Sequence, residues 1–233
     1  MARLYPKLNF AHFPIIVNPM IGLTPPELIT AVITLVIAFT FHEFAHAWTA
    51  VQFGDDTPIR YGRLTLNPLK HLDFMGSLML IFTGFGWAKP VPVNHRRISQ
   101  HSDYAVMIIA ISGPISNFLL AAIAAIPLRF GWIENNMVPT NFLPSMSGFL
   151  LYFLFTNLGL LLFNLIPLPP LDGEEVLAYL LPPDLERKYE EIRPYGPYIL
   201  LALLFLGPLI GLNIIETVIG PAIFALGRFL LGG

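Results

Sequence analysis

Residues 32–54 read VITLVIAFTFHEFAHAWTAVQFG. The stretch is apolar enough to lie in a bilayer, yet it carries His42, Glu43 and His46 together. Ionisable side chains are costly in such a setting and mark function by default. The histidines are four residues apart, so on a helix both imidazoles share one face, a turn apart, where they can hold a single ion. Glu43 projects in a neighbouring direction, suited to a water on that ion. HExxH on a helix is the zinc-protease pattern of two ligands and a general base. The bland reading is a trio that only hydrogen-bonds neighbouring helices.

Composition supports the membrane setting. Of the 233 residues 55% are hydrophobic and only 12% charged, and the mean hydropathy is +0.67. Soluble domains carry about 25% charged residues. A net charge of −2 gives no sign of a nucleic-acid partner. Without cysteine there is no disulfide and no thiolate ligand, so a metal must be held by His, Asp or Glu. The opening MARLYPKLNFAHFP lacks the apolar run of a secretory signal, so the mature chain is expected to start near Met1.

Crossing a bilayer takes about 20 helical residues. One apolar run begins at Pro25-Pro26-Glu27 and stops at the turn signal Gly54-Asp55-Asp56. Others cover about 103–130, 147–166 and 197–215. The last stretch, 216–231, is broken by Gly220-Pro221 and reads as a short span or an interfacial helix. Residues 74–87 (FMGSLMLIFTGFGW) are too short to cross comfortably and hold three glycines. They are expected to form a re-entrant helix leading into extended AKPVPVN. Leu181 to Arg193 reads as a surface helix. The expected fold is all-α, a polytopic membrane helix bundle with a short re-entrant and extended membrane-associated segment. A single domain would fill 1–233, with a core at about 26–180 and C-terminal helices at about 195–231.

Charge orients the chain. Residues 53–103 carry Arg60, Arg63, Lys70, Lys89, Arg96 and Arg97, and the loop after the third run carries Arg187, Lys188 and Arg193. The loop 131–146 carries no Lys or Arg. The positive side should be cytoplasmic, which puts His42 and His46 in the cytoplasmic half of the first helix. Arg3 and Lys7 weigh mildly against an outside N-terminus.

A catalytic zinc usually has three protein ligands and an open position. Asp172, in NLIPLPPLDG at 164–173, is the best third candidate. Its proline-stiffened approach would fix a carboxylate at membrane depth, although an N-cap of the following helix is an equal reading. Gly113 and Asn117 serve close helix packing as readily as catalysis. The proline-extended segment 89–94 could hold an unwound substrate by strand addition, or lie as an ordinary interfacial loop. His71 and Asp73 suit a structural role better than a metal pair. His12, His95 and His101 need no special role, and Trp48, Trp87 and Trp132 suit interface anchors.

HEFAH at 42–46 together with NLIPLPPLDG at 164–173 resembles the site-2 protease family of intramembrane metalloproteases. GPISN at 113–117, FGWAKPVPVN at 85–94 and NPLKHLD at 67–73 are similar to further motifs of that family and its compact bacterial members. The likeness covers about residues 30–180, and no PDZ or CBS domain accompanies it. It implies that His42, His46 and Asp172 hold one Zn²⁺ and that Glu43 is the general base. It also implies that Asn164 lies near the reacting carbonyl, as a donor to it. The implied activity is endopeptidase cleavage in or near transmembrane helices of other proteins, at the cytoplasmic membrane, with the site toward the cytoplasm. Partners would be transmembrane substrates and the lipid bilayer; oligomeric state stays open. The alternatives are a non-catalytic member that binds membrane helices, and a metal transporter. A transporter usually shows internal repeats, and none is evident.

Overall fold

The structure is a computed structural model and describes residues 20–233 apart from 100, 101, 103, 134–137, 212 and 214. Arg3, Lys7, His12 and His101 lie outside the described residues. Among the described residues three helices are long and apolar enough to cross a membrane. They are α1 (Pro25–Gln52), α5 (Ala105–Arg129) and α6 (Met146–Asn164). Between α1 and α5 lie α2 (Thr57–Arg60), α3 (Phe74–Thr83) and α4 (His95–Ser99). After α6 come α7 (Gly173–Leu180), α8 (Pro183–Ile192), α9 (Gly196–Leu201) and α10 (Gly220–Leu231). The described residues form helices and loops with one isolated antiparallel bridge, Leu72 to Ala88.

Two stripes at four-residue spacing explain how α1 meets α5. On α1, Thr34, Ala38, His42, His46 and Ala50 are all buried. On α5, Ala105, Ile109, Gly113, Asn117 and Ala121 are likewise buried. Spacing by four keeps side chains on one face, and the small members let the backbones approach. Ala50, Ala105, Ile109 and Ile98 share one cluster, so the C-terminal end of α1 meets the N-terminal end of α5. The larger apolar core joins α5, α6 and α10 through Leu128, Leu151, Leu154, Leu158 and Ile223. Arg129 closes the far end of α5 by donating to the Phe229 and Leu230 carbonyls of α10.

The expected re-entrant segment is a hairpin. Asp73 caps α3 by accepting from the Gly76 N–H at 2.8 Å, and Gly84 ends it with φ 74°, a left-handed turn that glycine makes without strain. Ten helical residues rise about 15 Å, half of a hydrocarbon core of about 30 Å. The chain then folds back over its own helix. A Cβ on Gly76 would strike the Trp87 carbonyl, and one on Gly86 would strike Leu80 and Gly76. Extended residues 88–94 follow and are tied to the protein by charged or buried groups. Buried Arg63 donates to the carbonyls of Lys70, Lys89 and Pro90. Lys89 N–H donates to the His71 carbonyl at 2.7 Å, and Asn94 N–H to Asp55 at 2.7 Å. His71 is fully buried, 2.7 Å from the Thr65 carbonyl through Nε2. His71 and Asp73 therefore build the hairpin and form no metal pair.

The run 197–215 departs from expectation. It is not one spanning helix but α9, a π-helical turn Ala202–Leu206 and a 3-10 turn Pro208–Ile210. Pro208 has no N–H to continue the ladder, and Gly211 turns left-handed with φ 79°. The break expected at Gly220-Pro221 is the start of α10. The segment Thr217–Leu231 is apolar but shorter than the three long helices. The surface helix expected at 181–193 is α8, which buries no residue.

Candidate metal centre

His42 and His46 stand about two to three turns before the end of α1, inside its apolar length. Asp172 follows the turn 165–171, which contains the cis bond Pro169-Pro170. That turn is tight against the start of α7, where a Cβ on Gly173 would strike the Leu165 and Ile166 carbonyls. Asp172 occupies the N-cap position of α7, yet its side chain makes no capping bond. It points to the histidines instead, so of the two readings open for Asp172 the cap fails.

His42 Nε2 and His46 Nε2 are 3.0 Å apart. Asp172 Oδ2 is 3.1 Å from the first and Oδ1 is 3.3 Å from the second. Both histidines spend Nδ1 on oxygen acceptors. His46 Nδ1 is 2.7 Å from the Ile109 carbonyl, and His42 Nδ1 is 2.6 Å from Asn117 Oδ1. Nδ1 therefore carries a hydrogen in each ring, and in the neutral ring Nε2 presents its lone pair. Two imidazole nitrogens and a carboxylate converge on one point, and buried Asp172 Oδ2 has no hydrogen-bond partner. Such a donor set suits a metal cation. Ligands about 2.0–2.1 Å from a tetrahedral zinc stand about 3.3 Å from each other, close to the spacings here. Among the described residues these three form the group able to hold a metal.

Glu43 is buried beside them and accepts from the Val91 N–H at 3.1 Å through Oε2. The extended segment thus turns its N–H groups at 89, 91 and 94 into the protein, rather than leaving them open for strand addition. Asn164 ends α6 and lines the same cavity, with one N–H given back to the Leu160 carbonyl at 3.0 Å. The cavity measures about 520 Å³ and is bounded by Trp87, Val91, Leu171 and Leu200 besides the polar set. At its margin Arg193 bonds Glu174 at 2.7 Å and Glu175 at 2.8 Å. Burial pushes the Glu174 carboxyl up, Glu175 adds to this, and Arg193 offsets it.

Gly113 is part of this site, because a Cβ there would strike both imidazoles. Asn117 is too, through His42. Sequence reasoning left both undecided, took Val91 only as part of the extended segment 89–94, and passed over Ile109 and Asn157. Asn157 carried a usable signal, being an amide inside the apolar run FLFTNLGLLLFN. The Val91 N–H and Ile109 carbonyl carried none, because backbone groups look alike in every sequence.

No protein-family model and no solved structure matches the chain. Curated relatives do. The chain is similar to a provisionally named zinc metalloprotease, YwhC of Bacillus subtilis (strain 168), with 40% identity across 86% of each protein. It is also similar to Rip2 of Mycolicibacterium smegmatis, which bears the same provisional description, at 31% identity over 72% of this chain and 63% of that protein. Rip2 of Mycobacterium tuberculosis (H37Rv) is 29% identical over 74% of this chain and 64% of its own length. Apolar helices able to span a bilayer, a three-ligand cage that suits zinc and relatives named for zinc-dependent proteolysis agree. The chain belongs to the site-2 protease family of zinc metalloproteases.

Proposed function

We propose that the protein is an intramembrane endopeptidase that hydrolyses peptide bonds in or near transmembrane helices of other membrane proteins. His42, His46 and Asp172 hold the zinc, and Glu43 is the base. The observation that carries this reading is the placement of the cage. It opens on a largely apolar cavity within the apolar length of α1, where a hydrophobic chain can lie against it. Zinc held there would supply a Lewis acid for the scissile carbonyl and a water of lowered pKa. Glu43 would take a proton from the attacking water and deliver it to the departing amine. The Val91 N–H holds one oxygen of Glu43 and leaves the other for the proton. Asn164 has a second N–H for the developing oxyanion. A peptide bond inside a helix is shielded, so the substrate must unwind at the cavity.

The positive residues 60–97 and 187–193 extend from the same ends of α1, α5 and α6 as the cage, which supports a cytoplasmic membrane location with the site toward the cytoplasm. One integral-membrane unit over 1–233 is the domain organisation proposed with it. The test is Glu43→Gln in the full chain. Zinc content should stay at the wild-type level while cleavage falls about a hundred- to ten-thousand-fold. Membrane proteomics should then show transmembrane fragments accumulating in Glu43→Gln cells. Undiminished cleavage with zinc retained overturns the mechanism, and zinc flux into liposomes without cleavage would indicate transport.

A further inference from the structure

We infer that Asn157, on α6 and outside the lining of the cavity, is a positioning residue that selects the metal-binding tautomer of His42. It acts through Asn117. The inference rests on His42 being a zinc ligand. Asn157 and Asn117 are both fully buried. Asn157 Nδ2 donates to the Phe153 carbonyl, one turn back on its own helix, at 2.8 Å. A carbonyl only accepts, so the NH2 end of the Asn157 amide must face Phe153 and its oxygen must face away. That oxygen accepts from Asn117 Nδ2 at 3.0 Å. The Asn117 amide is thereby turned with its own oxygen toward His42 Nδ1, at 2.6 Å. An oxygen there requires hydrogen on Nδ1 and leaves Nε2 bare toward Asp172 and His46.

Asn117 alone does not decide this. Its two ends are nearly the same shape. Flipped, it would present NH2 to Nδ1, favour hydrogen on Nε2 and close that nitrogen to a metal. The flip is opposed because it would set the Asn117 oxygen against the Asn157 oxygen, and Asn157 is locked by a backbone carbonyl. His46 needs no such relay, since the Ile109 carbonyl is itself an acceptor only. A fixed polarity thus runs from the backbone of α6 across α5 to α1. A packing role would also hold Asn157 in place, but it would not care which way Asn117 points.

The test uses the full chain in detergent, with Zn²⁺ affinity read by competition with a fluorescent chelator and apo-protein melting read separately. Asn157→Leu should weaken zinc binding about 10–100-fold, as loss of an outer-shell partner does. Asn157→Ala, which adds no bulk, carries the same expectation if the leucine variant does not fold. The decisive variant is Asn117→Asp combined with Asn157→Leu or Asn157→Ala. A carboxylate accepts through both oxygens and needs no orienting, so zinc affinity should return to within about threefold of wild type. Wild-type affinity in the Asn157 variants overturns the inference. So does a loss that Asn117→Asp does not rescue, which would leave Asn157 a packing residue. His42→Ala separates this from the wider reading. If it leaves zinc binding unchanged, the ligand assignment itself falls. If it abolishes binding while the Asn157 variants do not, only the relay falls.

Discussion

Gly113 shows how far a single atom matters at the centre. It lies on α5 where a methyl would meet His42 and His46. Gly113→Ala should therefore act as overpacking, at a cost of about 1–3 kcal/mol, and should push the rings off their common point. Zinc titration of the purified variant should show weakened binding, and apo-protein melting should show the strain. Wild-type values of both would mean that the helices separate freely there. Asp172→Asn keeps the shape of the third ligand but removes its charge. Zinc affinity should fall while the apo protein melts close to wild type, since Asp172 makes no capping bond that folding would lose. At this scale His42, Glu43 and His46 were legible because an i, i+4 pair on a helix is local geometry. The choice between ligand and cap for Asp172 was not, because both begin with an aspartate before a helix.

Among the elements, the hairpin 74–94 is tied down by a side chain that lies outside it. Arg63 holds three carbonyls, at Lys70, Lys89 and Pro90. Arg63→Leu leaves these groups without their donor, at about 1–3 kcal/mol for local opening. Amide exchange at Lys89 and Val91 should then speed up about ten- to a hundredfold, and cleavage should fall because Glu43 loses its Val91 contact. Unchanged exchange at both amides would show that the prolines alone hold the segment. The existence of this hairpin was readable from its length and glycines. Its attachment was not, because Arg63, Asp55 and His71 look like ordinary loop polarity until the fold buries them. The run 197–215 failed as one span for a related reason. Its hydropathy is that of a membrane helix, but hydropathy does not register that Gly207-Pro208 and Gly211 interrupt the hydrogen-bond ladder.

For the molecule as a whole, the cage links α1 to the turn before α7, so bound zinc should stabilise the assembly. Stripping the metal with a chelator should lower the melting temperature. Adding zinc at 100 times its Kd should restore about 2.7 kcal/mol, an increment that Asp172→Asn should largely remove. Equal melting with and without metal would show that the helices are held by packing alone. Topology is open to a clean test, since the chain has no cysteine. An impermeant thiol reagent should label Phe142→Cys in intact cells and Arg187→Cys only in inverted vesicles. The reverse pattern would place the centre on the outer side.

Sequence was sufficient for whatever depends on neighbours along the chain. That covers three apolar helices, the two imidazoles on one face, the carboxylate beside them and the proline-stiffened turn. Hydropathy and a 3.6-residue period are properties of local backbone, and the resemblance of HEFAH with NLIPLPPLDG added the chemistry. Contacts between distant segments were decided only by the fold. Asp172 reaches His46 across 126 positions (172 − 46), Gly113 makes room for the rings, and the Val91 amide holds Glu43. The tautomer of His42 is set by the direction in which two amides are turned. That direction is a relation between α1, α5 and α6, and no residue type encodes it alone.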